Sequence, residues 1–131
     1  FYYDLAGFED KEVARRAKEI NEAYQAKYKR PMDAYAAIAY IAYTEMFRGF
    51  EQAKSFDPLK VAAALKANNG QFDTVKGPAR WREDQSAVYK YGAFLVKGKG
   101  PGEQKHPWDL FKVEGYQGGD SIMPNLKSLG Y

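Results

Sequence analysis

Residues 30–40 read RPMDAYAAIAY and mark the change from a loop to a helix. Pro31 disfavours a helical backbone at Arg30, so a preceding helix must end there. Asp33 is the candidate N-cap, since its carboxylate can accept a hydrogen bond from a free N–H group of the first turn. The apolar side chains that follow recur at helical spacing and predict one apolar stripe, which consists of Tyr35, Ile38, Ile41, Ala42 and Met46.

Tyr35 has two possible roles in this helix. It lies in the first turn, near the positive end of the helix dipole. A phenol ring beside free backbone amides can line a pocket for a small anionic ligand. However, an apolar position of an amphipathic helix more often belongs to the core than to a ligand pocket. The pattern alone therefore leaves both roles open.

Two further helices are predicted on either side of this segment. Residues 11–28 have an apolar stripe and a candidate cap in Asp10, so they form an amphipathic helix. The central helix runs over residues 34–54 and is apolar nearly all round, which is typical of a helix buried between layers. Asp57, followed by proline, starts a short third helix, and the Asn-Asn-Gly at residues 68–70 ends it.

After Gly70 the pattern changes from helical to extended. Aromatic and β-branched residues predict strands near residues 1–5, 74–81, 88–97 and 108–114. The chain begins with the apolar residues Phe-Tyr-Tyr rather than with Met, which resembles the middle of a strand. We therefore expect the chain to be part of a longer protein.

The composition limits the classes of function. With 131 residues, 45% hydrophobic and 16% aromatic, the chain can form one globular domain with a core. The net charge of +3 arises from interleaved charges and is too small to predict a nucleic-acid partner. The chain has no cysteine, so disulfides and thiolate chemistry are excluded. No apolar run approaches the roughly 18 residues that a membrane-spanning helix needs.

The catalytic side chains are too few and too scattered to fill the roles of an active site. His106 is the only histidine and lies in a polar loop, so a zinc site is not expected. The glycine-rich residues 97–102 lack the spacing of a phosphate-binding loop, and their lysines are expected to be solvated in a turn. Glu83 and Asp84 are likewise expected to be solvated. The sequence therefore predicts neither an enzyme nor a cofactor.

The order of several short motifs resembles the later part of the type I periplasmic binding proteins, in particular the branched-chain amino-acid receptors of ABC importers. The similarity covers about residues 3–131. Each motif is short, and the order and spacing carry the resemblance. The motifs are YQAKYKRP at 24–31, DAYAAIAY at 33–40, FDPLKVAAAL at 56–65, FDTVKGP at 72–78, KGK at 97–99, PWDLF at 107–111 and MPNL at 123–126.

The resemblance implies an α/β fold, as part of a clamp of two lobes joined by three crossing strands, in which each lobe is a parallel sheet flanked by helices. Residues 1–84 would form a portion of the N-terminal lobe, with a crossing strand at the start. Residues 85–131 would form the third crossing and the tail that closes the C-terminal lobe. The ligand would lie between the lobes, where the resemblance places Tyr35. The predicted ligand-binding residues are Tyr35, Asp33 and Tyr2.

These expectations lead to a periplasmic or cell-surface solute receptor without catalysis. Its ligand would be a small carboxylate such as an amino acid or an aromatic acid. Its partners would be the membrane permease of an ABC importer and the remainder of the receptor, or a second copy of the chain. Two alternatives remain: a small independent α/β module that dimerises, and an enzyme subunit of unknown chemistry.

Overall fold

The computed structural model describes residues 8–131. The strand predicted at residues 1–5 and the candidate ligand-binding residue Tyr2 lie outside the described residues. The part that is described combines helices and strands, so the predicted α/β class is confirmed.

The three long helices of the described chain begin at aspartates, as the sequence predicts. Asp10, Asp33 and Asp57 each accept a hydrogen bond from a first-turn amide, at 2.8–3.2 Å. These bonds satisfy amides that have no partner within the helix, which is why the helices begin where they do. The helices are α1 (Lys11–Tyr28), α2 (Ala34–Ala53) and α3 (Pro58–Lys66).

The strands are shorter and more numerous than predicted. The predicted strand at 74–81 is wrong as a single element, because Thr74 turns the chain and its Oγ1 accepts a hydrogen bond from the Lys76 amide at 3.0 Å. The predicted strand at 88–97 is interrupted between residues 89 and 93, and the last strand starts later than predicted. The observed strands are β1 (Gln71–Thr74), β2 (Gly77–Trp81), β3 (Ala87–Tyr89), β4 (Ala93–Gly98) and β5 (Phe111–Gln117).

These strands form two small antiparallel sheets, so the parallel sheet that the resemblance implies is not found among residues 8–131. One has the order β1-β2-β3, and the other pairs β4 with β5. The ladder of the second sheet has a bulge between Leu95 and Val96. A single-turn helix, α4 (Gly119–Ile122), packs against β3. The chain therefore passes from one sheet to the other between β3 and β4.

The main core lies where α1, the start of α2 and this passage between the sheets meet. Its apolar members come from segments that are far apart in the sequence, which is how packing joins them into one body. The buried members are Phe8, Val13, Ala17, Met32, Ala37 and Tyr91.

The face of α2 that is buried differs from the predicted stripe. Ala37, Ile41, Glu45 and Gly49 are buried, and of the predicted stripe only Ile41 is among them. The reason is a close approach to α3, since a Cβ atom added at Gly49 would lie 2.8 Å from Cγ1 of Val61. Within residues 8–131, the apolar stripe that the sequence predicts is therefore not the buried face of α2.

The other side of α2 carries large apolar side chains that the described residues leave uncovered. Their exposed fractions reach 62% at Tyr43 and 56% at both Ile38 and Phe47. Globular proteins seldom expose a contiguous apolar surface of this kind unless it contacts something else. The expected burial of α2 between layers is thus not met by the described residues.

Candidate functional site

The loop between α1 and α2 has a defined geometry that the sequence only partly predicts. Helix α1 ends with Lys29 in the left-handed conformation, at φ 57°, and the Lys29 amide donates to the carbonyl of Gln25 at 2.9 Å. A left-handed residue is a common way to end a helix, although glycine or asparagine is the usual choice. The loop therefore turns sharply at residue 29 before it reaches Pro31.

A side chain of α1 anchors the far end of this loop. The Asn21 Oδ1 atom accepts a hydrogen bond from the backbone amide of Met32 at 2.8 Å. The Met32 side chain is only 3% exposed and belongs to the core. The start of α2 is therefore fixed against α1 by one hydrogen bond and one buried side chain.

Asp33 occupies the beginning of α2 with its own negative charge. Its Oδ1 accepts from the Ala36 amide at 2.8 Å, and its Oδ2 lies 3.7 Å from Nη1 of Arg30. Arg30 also donates to the hydroxyl of Tyr24 at 3.1 Å. The Asp33 carboxylate therefore already occupies the positive end of α2, and the guanidinium of Arg30 lies beside it.

Tyr35 points away from the core, two residues after Asp33. Its exposed fraction is 85%. The core role that the pattern allowed for Tyr35 is therefore wrong within the described residues. The ring is free to contact a ligand or another part of a larger protein, and its ligand-binding role stays a prediction.

The structure thus brings two of the three predicted site residues together. Asp33 and Tyr35 lie in the same turn of chain, and Tyr2 lies outside the described residues. The combination offers a hydrogen-bond acceptor with negative charge beside an exposed aromatic ring. Such a pair can orient a small polar molecule, and it holds no nucleophile and base for catalysis.

Two charged residues that were expected to be solvated are instead buried in ion pairs. The Lys99 ammonium lies 2.5 Å from Oδ1 of Asp109, and only 18% and 7% of these side chains are exposed. Asp84 pairs with Arg82, and these side chains are also almost fully buried. The expectation is wrong for Lys99 and Asp84 because partners adjacent in the fold neutralise the charges and make burial possible. Lys97 and Glu83 are exposed, as expected.

Sequence reasoning also missed a group of aromatic rings, which we call the junction cluster, formed by Phe8, Tyr91, Phe94 and Tyr116. The rings contact one another edge to face or stacked, with centroids 4.7–6.4 Å apart. Gly92, which lies between the aromatic residues of the strand predicted at 88–97, was the available signal. The cluster lies beside the passage between the two sheets.

Within residues 8–131, no group of three or more acidic, histidine or cysteine side chains is placed to hold a metal ion. No helix among these residues is both long and apolar enough to cross a bilayer.

Comparison with known proteins identifies the family. The sequence profile described as periplasmic binding protein matches residues 2–102. The leucine-, isoleucine-, valine-, threonine- and alanine-binding protein of Pseudomonas aeruginosa is 40% identical over 60 residues, which are 46% of this chain and 16% of that protein.

Two solved structures share the fold. A periplasmic binding protein of Burkholderia mallei superimposes with a TM-score of 0.78 and 25% identity over 97% of this chain. A branched-chain amino-acid ABC transporter periplasmic ligand-binding protein of Burkholderia xenovorans superimposes with a TM-score of 0.77 and 24% identity over 98% of this chain. This chain spans 31% of the length of each. Since the profile covers most of the sequence, the chain belongs to the periplasmic binding protein family.

Proposed function

We propose that this chain is part of a solute-binding receptor that delivers a small amino acid to the permease of an ABC importer. The proposal rests on the family match over residues 2–102. The solved structure of a periplasmic binding protein, which superimposes on 97% of the chain, also supports it. The Pseudomonas aeruginosa relative is named for binding leucine, isoleucine, valine, threonine and alanine. The relatives are named as binding proteins and not as enzymes, which supports a receptor without catalysis.

The division between lobes in this proposal follows the sequence. Residues 1–84 contribute to one lobe, and residues 85–131 provide the third crossing and the tail of the other. The passage from the three-stranded sheet to the two-stranded sheet, between Tyr89 and Ala93, supports a crossing in this region. Because the β2–β3 ladder pairs Trp81 with Ala87, β3 goes with the first lobe, so we move the proposed boundary from residue 84 to the end of β3 and place the crossing there.

The ligand site in this proposal lies at the start of α2. The Asp33 carboxylate would accept a hydrogen bond from the ammonium of an amino acid, and the exposed Tyr35 ring would cover its side chain. Closure of the second lobe would complete the site and remove the ligand from water. The receptor would work in the periplasm or at the cell surface, as its family name indicates.

The proposal is tested by calorimetry on the full-length receptor with L-leucine, L-alanine and benzoate. We expect binding of an amino acid, and we expect Tyr35→Ala to weaken it by about 1–3 kcal/mol because contact area is lost. Tyr131→Ala is the matched control, since Tyr131 is also an exposed tyrosine, 60% accessible, but lies at the end of the chain.

Unchanged affinity in Tyr35→Ala would remove Tyr35 from the site. Binding of benzoate in preference to both amino acids would contradict the role given to Asp33. If the wild-type receptor bound none of the three compounds, the proposed ligand class would be wrong.

A further inference from the structure

Within residues 8–131, Tyr91 lies where the chain leaves the three-stranded sheet and enters the two-stranded sheet. The amide of Lys90 donates to the carbonyl of Pro78, in β2, at 2.9 Å. The amide of Gly92 donates to the carbonyl of Gln117, in β5, at 2.9 Å. Tyr91 therefore lies between the last hydrogen bond of the three-stranded sheet and the first of the two-stranded sheet.

The Tyr91 ring is held on several sides. It is only 2% exposed. Its centroid lies 4.9 Å from that of Phe8 and 4.7 Å from that of Tyr116, both edge to face. Aromatic pairs in this geometry are attractive beyond the area that they bury. The junction cluster thus joins the segment before α1, the passage between the sheets, and β5.

The Tyr91 hydroxyl fastens this cluster to the start of α1. It donates to Oδ2 of Asp10, while Oδ1 of Asp10 accepts from the Val13 amide at 3.2 Å. The ammonium of Lys90 lies 3.9 Å from the same Oδ2 atom. A hydrogen bond from a buried hydroxyl to a carboxylate is stronger than one between neutral groups. The bond from Tyr91 also keeps the pKa of Asp10 below its usual range.

The backbone next to Tyr91 has little free space. A Cβ atom added at Gly92 would lie 2.8 Å from the Cα atom of Gly119 and 2.8 Å from Cδ1 of Ile122. Both of these residues belong to α4, which covers the passage between the sheets. Gly92 is therefore packed closely against α4, while the hydrogen bond from Tyr91 ties the preceding residue to Asp10 at the start of α1.

We propose that Tyr91 and Asp10 form a latch at the pivot of the receptor, which limits how far the two lobes open in the absence of ligand. This inference rests on the proposed function, because it needs a second lobe that moves. A hinge bends at a few residues between rigid bodies, and Tyr91 lies at such a position. The latch acts on the angle between the lobes and does not touch the ligand.

The consequence is a shift in populations. Without the latch the crossing segment bends more easily, so the unliganded receptor samples a wider range of angles between its lobes. The form that is able to bind then makes up a smaller fraction, and the apparent affinity falls in the same proportion. The closed, liganded form is fixed by its own contacts and keeps its dimensions.

The experiment compares the full-length wild-type receptor with Tyr91→Phe, which removes the hydroxyl and keeps the ring. Small-angle X-ray scattering without ligand should show a larger radius of gyration in the variant. Calorimetry with L-leucine should show affinity weakened about three- to tenfold. Scattering at saturating L-leucine should give the same radius for both proteins.

Asp10→Ser is the second variant, because serine can still cap α1 but is too short to reach Tyr91. The double variant should have no larger effect than either single one if the two residues act through one bond. Tyr116→Phe is the matched control, since Tyr116 lies in the same cluster and is 40% exposed.

An unliganded radius in Tyr91→Phe equal to that of the wild type would overturn the latch, whether or not L-leucine binds. A wild-type receptor that fails to bind any amino acid would contradict the proposed function instead, while the scattering comparison would still decide on the latch.

Discussion

At the scale of single residues, the pair of Arg82 and Asp84 shows how a polar turn becomes a fixed structure. Arg82 Nε donates to Oδ1 of Asp84 at 2.9 Å, and the Ser86 amide donates to the same oxygen at 3.1 Å. Arg82 also donates to the carbonyl of Pro124 at 2.7 Å. The pair therefore connects the β2–β3 turn with the C-terminal part of the chain.

This arrangement makes a testable prediction about pH. The hydrogen bond from Arg82 lowers the pKa of Asp84 from 3.8 to about 2. A carboxyl whose pKa is lower in the folded state stabilises the fold above the unfolded pKa, and this contribution disappears as the pH falls through the folded value. The difference in unfolding free energy between wild type and Asp84→Asn should thus be constant above about pH 5 and shrink between pH 4 and pH 2.

Urea unfolding at several pH values measures this difference. Asp57→Asn is a useful control, because asparagine also caps helices and Asp57 is exposed. A difference for Asp84→Asn that does not change between pH 5 and pH 2 would show that Arg82 does not hold the carboxylate in its charged form.

At the scale of secondary-structure elements, the crossing of α2 and α3 is decided by one glycine. A Cβ atom at Gly49 would lie 2.8 Å from Val61 and 3.2 Å from Leu65. Such a distance is too short for two carbon atoms, so the helices would have to separate. The helix propensity of alanine is better than that of glycine by about 1 kcal/mol. This gain within α2 partly offsets the cost of the steric clash with α3.

We predict that Gly49→Ala lowers the unfolding free energy, by roughly 1–2 kcal/mol after the gain in helix propensity is included. The companion variant Gly49→Ala/Val61→Ala removes the methyl groups nearest to the new one and should relieve the clash. Thermal and urea unfolding of both variants test this. Stabilisation by Gly49→Ala alone would mean that the helices do not approach as closely as the structure indicates.

At the scale of the whole molecule, the exposed apolar surface is the dominant feature. Besides the outer face of α2, the start of α3 exposes Leu59 at 80%, and the preceding Phe56 is 83% exposed. The solved relatives are about three times longer than this chain, which spans 31% of each. We expect the remaining part of a receptor to supply contacts for part of this surface.

The 131-residue chain on its own should therefore associate with other copies at micromolar concentration. Light scattering measures this directly. Phe47→Lys should reduce association, whereas Tyr28→Lys, on α1, should leave it unchanged. A well-folded monomer would favour the alternative that the chain is a small independent domain.

The sequence by itself determined the features that depend on neighbouring residues. Asp10, Asp33 and Asp57 begin helices because each bonds to an amide no more than three residues away. Asn68, Asn69 and Gly70 have positive φ values of 53°, 55° and 66°, which asparagine and glycine tolerate, and they form a short turn after α3 has ended at Lys66. The motif order also identified the family, and the profile match over residues 2–102 covers the motifs up to residue 99.

Only the tertiary structure decided which faces and charges are buried. Tyr91 and Asp10 are 81 residues apart, and no local pattern connects them. The stripe that contains Tyr35 and the row that contains Glu45 have the same helical spacing, and the approach of α3 selects between them. Hydrogen bonds within one helical turn depend on residues that are close in the sequence, and the sequence therefore predicted the helix starts. Burial depends on which distant segment packs against a face, and the sequence therefore did not predict the buried face of α2.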